Sequence, residues 1–304
     1  MRHVGVVVNP TAGKGRGSTA GRRVHELLVA RGMKVEDLSA PTLAQASDRA
    51  RAAAVQGLDA LVVVGGDGMV HLGANVVAGT ALPLGVVAAG TGNDIARALG
   101  LPLDDVTAAV DVVKRGLDEG PRRIDAVRVG TPAHSAHEWF VGVLSCGIDA
   151  AVNARANTMT WPRGSARYVR ALAAELTSFR PYGYRVTLDD RTWESPGTLV
   201  AIANTPWFGG GLHVAPDARV DDGLLDVVVA GPLSRSAITR IFPGIYRGRH
   251  VGHPAVTIVR SRTVLVEPLT ALGAPAPAAF ADGERVGPLP LRVQVDPGAL
   301  AVLA

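Results

Sequence analysis

At 304 residues the chain is longer than one ordinary hydrophobic core and comfortable for two. Hydrophobic residues make up 47% and charged residues 19%, which suits a packed globular protein and excludes a disordered one. The net charge of +4 favours phosphates or anionic lipid surfaces as partners; with 4% aromatics and scattered arginines, the stacking stripe of a nucleic-acid binder is missing.

Met1-Arg2-His3 runs straight into Val4–Val8, too short for the apolar region of a signal peptide, and no apolar run reaches the roughly 18 residues of a membrane span. These features place the protein in the cytoplasm, soluble or peripheral at the inner membrane face. Strands are predicted at Val4–Val8, Val35–Leu38, Ala60–Val64 and Leu84–Ala88. Helical patterns cover Ser18–Arg31, Leu43–Gln56, Met69–Ala78 and Asn93–Leu99, with another over Asp105–Arg115 and Asp104 as its N-cap. Continuously apolar strands alternating with helices predict an open parallel sheet covered on both faces.

After about Arg122 the texture changes. Ile124–Val129, Trp139–Ser145, Tyr184–Leu188, Leu199–Ala203, Leu225–Val229, Thr263–Glu267 and Leu291–Val295 read as strands between Gly/Pro/Asp turns. Helical stretches stand near Ser165–Phe179 and Arg235–Tyr246. The expectation is an α/β domain over 1–124 and an antiparallel β-sandwich over 125–295, with 296–304 returning to pack on the first. Cys146 is the lone cysteine, so intrachain disulfides are excluded, and its place in the apolar run Phe140–Cys146 makes it a buried structural residue.

Three glycine-rich turns follow the first, third and fourth strands. In Asn9-Pro10-Thr11-Ala12-Gly13-Lys14-Gly15, backbone N–H groups can converge on an anion, with charge from Lys14 and Arg16; the spacing is not that of a Walker A loop. Gly65-Gly66-Asp67-Gly68 allows a close backbone approach to phosphate. Asp67 there suits a magnesium ion or a hydroxyl, or caps the helix that follows. Ala89-Gly90-Thr91-Gly92-Asn93-Asp94 adds a hydroxyl, with Asn93 or Asp94 able to cap the next helix. In an open parallel sheet ligands bind beyond the carboxyl ends of the strands, so three turns at that edge predict a nucleotide site.

The chain resembles the diacylglycerol-kinase-type lipid kinases, which include the sphingosine and ceramide kinases. The resemblance is carried by Val7-Val8-Asn9-Pro10, Gly13-Lys14-Gly15, Gly65-Gly66-Asp67-Gly68 and Gly90-Thr91-Gly92-Asn93-Asp94. It continues through Asp221-Asp222-Gly223-Leu224-Leu225-Asp226, Gly248-Arg249-His250 and Asp282-Gly283-Glu284. It implies an N-terminal α/β domain like those of NAD kinases and phosphofructokinases, a C-terminal β-sandwich, and ATP bound in the cleft. Asn9–Gly13, Gly65–His71 and Thr91 would bind ATP, with Lys14, Met69 and Asn93 in the same set and a further threonine somewhere in Ser39–Thr42. Asp222 matches a metal-binding aspartate, with the carbonyls of Arg219 and Leu224 completing an oxygen-only set for magnesium. Glu284 matches the proposed proton acceptor, with Asp67 as its rival.

Met69 stands where the family commonly has threonine, and Leu72 where it has glutamate. The implied reaction is transfer of the ATP γ-phosphoryl group to a lipid hydroxyl, by default that of diacylglycerol. A sphingoid base, ceramide or another lipid is the alternative; an NAD kinase or a non-catalytic nucleotide- or lipid-binding protein is more distant. Arg163, Arg167 and Arg170, beside Tyr168, would make a basic face for an anionic membrane. His250 and His253 read as loop structure, and a homodimer is left open.

Overall fold

The computed structural model describes residues 1–134, 137–161 and 165–304, apart from the side chains of Lys14 and Ser165. The first half alternates strands β1 (His3–Val8), β2 (Lys34–Asp37), β3 (Ala60–Gly65) and β4 (Leu84–Ala88) with helices α1 (Ala12–Gly15), α2 (Gly17–Ala30), α3 (Leu43–Gln56), α4 (Asp67–Val77), α5 (Asp94–Ala98) and α6 (Val106–Glu119). These strands pair in parallel in the order β2-β1-β3-β4. Their valine-rich runs are buried on both faces because α2 and α6 cover one side while α3 and α4 cover the other. The chain leaves β1 outward to β2, then crosses back to β3. The topological switch therefore falls between β1 and β3, where the first two glycine turns emerge.

Strands β5 (Arg122–Gly130), β6 (Glu138–Phe140) and β7 (Val143–Ser145) lead to helices α7 (Ile148–Thr158) and α8 (Ser165–Ser178). Then come β8 (Tyr182–Thr187), β9 (Thr192–Gly197), β10 (Leu199–Ala203), the short hairpin β11 (Trp207–Phe208) and β12 (Leu212–His213), and β13 (Leu225–Ala230). Helix α9 (Arg235–Ile245) and a 3-10 turn over Arg249–Gly252 precede β14 (Val256–Ser261), β15 (Thr263–Pro268), β16 (Ala279–Ala281), β17 (Glu284–Gly287) and β18 (Leu291–Leu303). One antiparallel sheet runs β14-β13-β10-β7-β16-β17 and packs on β18, β15 and β8 of the other through Phe140, Leu144, Tyr184, Ile202, Val264 and Val293. This is the expected β-sandwich.

Strand β18 joins the two halves. Its start pairs with β15, and its end pairs in parallel with β4, Val302 against Leu84. The register shifts between Asp296 and Leu300, where Gly298 takes φ +63° and its N–H donates to Asp125. The strand expected over Leu291–Val295 thus runs on to Leu303, with Pro297-Gly298 as a bulge that lets it continue.

Other boundaries also move. Asp105, not Asp104, caps α6, accepting from Ala108 N–H. The apolar run Trp139–Ser145 is two strands in two sheets, because the Asp282 carboxylate takes the N–H groups of Val141 and Gly142 and diverts the chain between them. Helix α7 escapes sequence reading because Gly147 gives it no capping side chain and two of its four buried residues are alanines. Cys146 is fully buried beneath the Val200 carbonyl, and burial pushes its thiol well above the usual range. It is no nucleophile.

Candidate active site

The three glycine turns meet backbone to backbone. A Cβ on Gly90 would stand 2.5 Å from the Gly66 Cα, and one on Gly13, at φ +56°, would stand 2.3 Å from the Ala89 carbonyl oxygen. Only glycine permits this packing. Asn9 shapes the first turn by accepting from the Thr11 N–H at 3.0 Å and its hydroxyl at 2.8 Å, while Pro10 bends the chain out of β1. In the third turn Asn93 sits in the left-handed region at φ +55° and closes onto Gly90, accepting from its N–H and donating to its carbonyl. Thr11 and Thr91 remain exposed at the mouth. Replacing Gly90 by Ala is expected to cost about 1–3 kcal/mol through the forced separation of the second and third turns; a denaturant melt measures it, and an unchanged midpoint would show that the turns can part freely.

Asp67 is the first residue of α4, but it does not cap its own helix. Its Oδ1 accepts from the Ile95 N–H at 2.9 Å, so it caps α5, the helix of the third turn, from across the site. Burial pushes its carboxyl up to about 6; the Ile95 N–H opposes the shift, and the neighbouring Asp94 and Asp282 add to it. Asp94 is also raised by burial. Its Oδ2 accepts from the Gly210 N–H at 2.6 Å and its Oδ1 from Arg97 at 2.9 Å, which ties the β11–β12 hairpin to the third turn.

The second domain reaches the same place through the β16–β17 hairpin. Asp282 and Gly283 take φ +52° and +89°, the left-handed pair that an Asp-Gly hairpin turn requires. The turn delivers Glu284 so that its Oε1 lies 2.6 Å from where a Gly68 Cβ would be. Among the described residues the Glu284 carboxylate has no hydrogen-bond partner. Asp282 is fully buried: Oδ1 accepts from Gly142 N–H at 2.8 Å, and Oδ2 from Val141 N–H at 3.0 Å and from His71 Nδ1 at 3.3 Å.

His71, one turn into α4, donates its other nitrogen to Glu138 at 2.8 Å. Burial disfavours its charge, but the hydrogen bonds it donates to the Asp282 and Glu138 carboxylates outweigh that and hold it at about 10. It is therefore a cation whose side chain bridges the domains. Sequence reading passed over Asp282, Glu138 and this bridging role of His71. The Asp-Gly pair signals the turn, but nothing local shows where its carboxylate points.

The remaining predicted residues divide. Met69 is buried against Gly65, so its side chain belongs to the core, and its N–H donates to Gly66. The Lys14 side chain and Arg163 lie outside the described residues. Thr42 caps α3, and the Ser39 hydroxyl accepts from Val8 N–H. Ser39, Val8, Arg22, His25 and Asp37 line a cavity of about 330 Å³ beside the first turn.

Asp222 sits apart from the three turns. Its Oδ1 accepts from Leu224 N–H at 3.1 Å, while Asp125 takes the N–H groups of Gly223 and Gly298 and so pins the loop to the β18 bulge. Arg219 and Leu224 flank it. No group of three or more His, Cys, Asp or Glu side chains is placed to hold a metal among the described residues. One carboxylate with two carbonyls is nonetheless the donor chemistry that magnesium accepts. His250 and His253 lie in the 3-10 turn and the loop after it, bonded to the backbone of Val214 and Ala255.

Two family models match the chain. Residues 3–129 match the diacylglycerol kinase catalytic domain, and residues 142–304 match the YegS C-terminal NAD kinase beta sandwich-like domain. A diacylglycerol kinase of Mycobacterium tuberculosis is 39% identical over 302 residues, covering 99% of this chain and 94% of its own. One from Bacillus subtilis is 26% identical over 275 residues, covering 88% and 86%. A solved diacylglycerol kinase structure from Bacillus anthracis superposes with TM-score 0.71 at 19% identity over 99% of this chain and 96% of that one. Yeast NADH kinase shares the fold at TM-score 0.54 and 12% identity, covering 99% and 82%.

Proposed function

This chain belongs to the diacylglycerol kinase family, and from that premise we propose that it transfers the γ-phosphoryl group of ATP to a lipid hydroxyl, with diacylglycerol as acceptor and phosphatidic acid as product. The observation that carries this reading is the Glu284 carboxylate, free of hydrogen bonds, lying against Gly68 in the Gly-Gly-Asp-Gly turn. In this reading Glu284 of one domain is the proton acceptor, and the turn it lies against in the other is part of the phosphate cradle.

In this reading the N–H groups of the turns around Asn9–Gly13, Gly65–Gly68 and Gly90–Asn93 hold the phosphates, with Lys14 adding charge. Glu284 takes the proton of the acceptor hydroxyl as its oxygen bonds to the γ-phosphorus and the bond to the ADP oxygen breaks. Asp67 would hold magnesium at the phosphates, and Asp222 with the Arg219 and Leu224 carbonyls would hold it in the second domain. Bound there, magnesium supplies neutralisation of phosphate charge. The burial that lifts Asp67 to about 6, beside Asp94 and Asp282, is the strain a hard cation relieves.

Asp67 gives a pH prediction. Its carboxyl is neutral below about 6, so kcat/KM for the magnesium-free enzyme's encounter with MgATP should fall as pH drops through that value. Asp67→Asn should abolish that limb along with most of the activity. Stability runs the other way: a carboxyl raised in the fold favours the native state at low pH, and that contribution is lost as pH rises through about 6. A pH–rate profile with no acid limb near 6 would remove Asp67 from the charge role.

The lipid side of the reading rests on α8. Tyr168 and Val169 are exposed on it and Trp161 is exposed ahead of it in the chain, with Arg170 over the Trp161 ring and Arg167 over that of Tyr168. No helix among the described residues is long and apolar enough to cross a membrane, so contact through such a face is peripheral. The deciding experiment incubates radiolabelled ATP with diacylglycerol, a sphingoid base, ceramide and NAD, and then separates the products. Label in phosphatidic acid is the expected outcome. Label in another lipid would change the acceptor, and label only in NADP would overturn the lipid reading.

A further inference from the structure

Away from the glycine turns, α9 and the 3-10 turn after it enclose a cavity of about 370 Å³ lined by Arg240, Pro243, Arg247, Arg249, His250 and His253. The three arginines are exposed and make no ion pair among the described residues, and no carboxylate lines the cavity. Elsewhere the arginines near carboxylates pair with them, as Arg97 does with Asp94 and Arg122 with Asp221. Here, three like charges share one concave surface uncompensated. Pro243 contributes to the opening, because within α9 it has no N–H to return to the carbonyl four residues before it.

His250 adds a second, independent observation. It is 6% exposed and lines this cavity, and its Nε2 meets the Val214 carbonyl at 2.9 Å. A carbonyl only accepts, so Nε2 carries the hydrogen. Burial holds the ring below its ordinary value, so it is neutral and Nδ1 is left as a lone-pair acceptor. That Nδ1 is buried and has no partner. A buried orphan acceptor costs free energy unless a donor fills it. The cavity thus offers cationic forks for a phosphate, and in its wall one unfilled acceptor that has no accessible surface in this structure.

The rim is apolar. Tyr246 and Val251 are 49% and 42% exposed on either side of Arg247 and Arg249. Helix α9 also packs through the buried Ile238 into the cluster of α7 and α8 that includes Ile148, Ala171 and Leu172.

We propose that this cavity binds the headgroup of an anionic phospholipid bearing a free hydroxyl, and so docks the second domain on a membrane surface. The three arginines meet the phosphate, Tyr246 and Val251 enter the interfacial layer, and His250 Nδ1, covered in this structure, accepts from the hydroxyl once the arginine side chains turn toward the phosphate. The site connects to the reaction centre along the chain. His250 is bonded to Val214 next to the β11–β12 hairpin, the Tyr246 ring lies 4.0 Å from where a Cβ on Gly211 of that hairpin would be, and the Gly210 N–H holds Asp94. Docking at the headgroup cavity therefore bears on the segment that secures the third glycine turn. The inference rests on the lipid-surface reading above, but its test needs no turnover.

The full chain is sedimented with vesicles of phosphatidylcholine alone, of phosphatidylcholine with phosphatidylglycerol, and of phosphatidylcholine with phosphatidic acid. Strong, salt-sensitive partition onto phosphatidylglycerol, weaker partition onto phosphatidic acid and little onto phosphatidylcholine are expected. The double variant Arg240→Gln, Arg247→Gln should reduce the phosphatidylglycerol partition by about 30-fold. It should keep its melting temperature and its rate on a water-soluble short-chain diacylglycerol.

Equal partition onto all vesicles, or wild-type partition by the double variant, would overturn the proposal. So would loss of partition in Arg167→Gln, Arg170→Gln with none in the α9 variant, which would transfer docking to α8. Equal affinity for phosphatidic acid and phosphatidylglycerol would remove the hydroxyl contact to His250. Stabilisation by inorganic phosphate alone, abolished in the α9 variant, with no vesicle binding, would make this a soluble-phosphate site. Vesicle binding without lipid phosphorylation would instead defeat the kinase reading and leave this one standing.

Discussion

Glu284→Gln is expected to lower kcat on a lipid acceptor by about 10²–10⁴-fold while the Kd for ATP stays within about twofold. The amide keeps the size and placement of the side chain, so the hairpin that presents it is unchanged; what is lost is the ability to take a proton. Glu284 suits that role because its carboxylate is committed to nothing else among the described residues, whereas Asp67 already accepts from Ile95 N–H. Single-turnover phosphoryl transfer and equilibrium ATP binding measure the two halves of the prediction separately. Near-normal turnover would move the proton to Asp67. Loss of ATP affinity together with turnover would mean that Glu284 shapes the cradle through its contact with Gly68.

Asp282→Ala is expected to destabilise the protein by about 3–5 kcal/mol, because it leaves a buried cation short of its counter-charge. Three donors lose their acceptor at once: His71 Nδ1, Val141 N–H and Gly142 N–H. Glu138 remains on the other ring nitrogen, so His71 keeps one partner and its proton is held less tightly.

The pH dependence separates this from generic loss of packing. In the wild type, the raised His71 contributes stability that is fully present below the ordinary histidine value of 6.5 and is lost as pH rises through about 10. Over that window the wild type should melt progressively earlier, and Asp282→Ala should show a flatter slope. Asp282→Asn, which retains an acceptor for a backbone N–H, should fall between them. If Asp282→Ala melts with the wild type at pH 7, the hairpin does not depend on this bridge. Because Asp282 and Glu284 are two residues apart on one turn, the variant should also lose turnover by displacing Glu284 from Gly68.

The two expectations draw on different kinds of information. The glycine turns were legible in the chain because glycines clustered directly after an apolar strand are a short-range pattern; that Gly13, Gly66 and Gly90 serve contacts between the turns was not, since those contacts join residues far apart in the chain. The valine-rich strands were equally legible, since burial on both faces of a parallel sheet leaves no polar alternation. The cap Asp105 lies one residue from the expected Asp104, and β18 runs on to Leu303 through the Pro297-Gly298 bulge instead of stopping at Val295, because both depend on which neighbour supplies a hydrogen bond. In the second case that neighbour is Asp125, 173 residues away.

The sequence by itself determined the two domain types, the three phosphate-type turns and their family resemblance, because each follows from short-range patterns of apolar, glycine and capping residues. Only the tertiary structure decided that Asp67 caps the helix of the neighbouring turn, that the Met69 side chain belongs to the core, and that His71 is a bridging cation. The same holds for the buried Asp282 and for the arginines that share a cavity on α9. Each of these is a long-range pairing of charge or hydrogen bond. Such a pairing is set by where the fold brings distant groups together, and no window along the chain contains both partners.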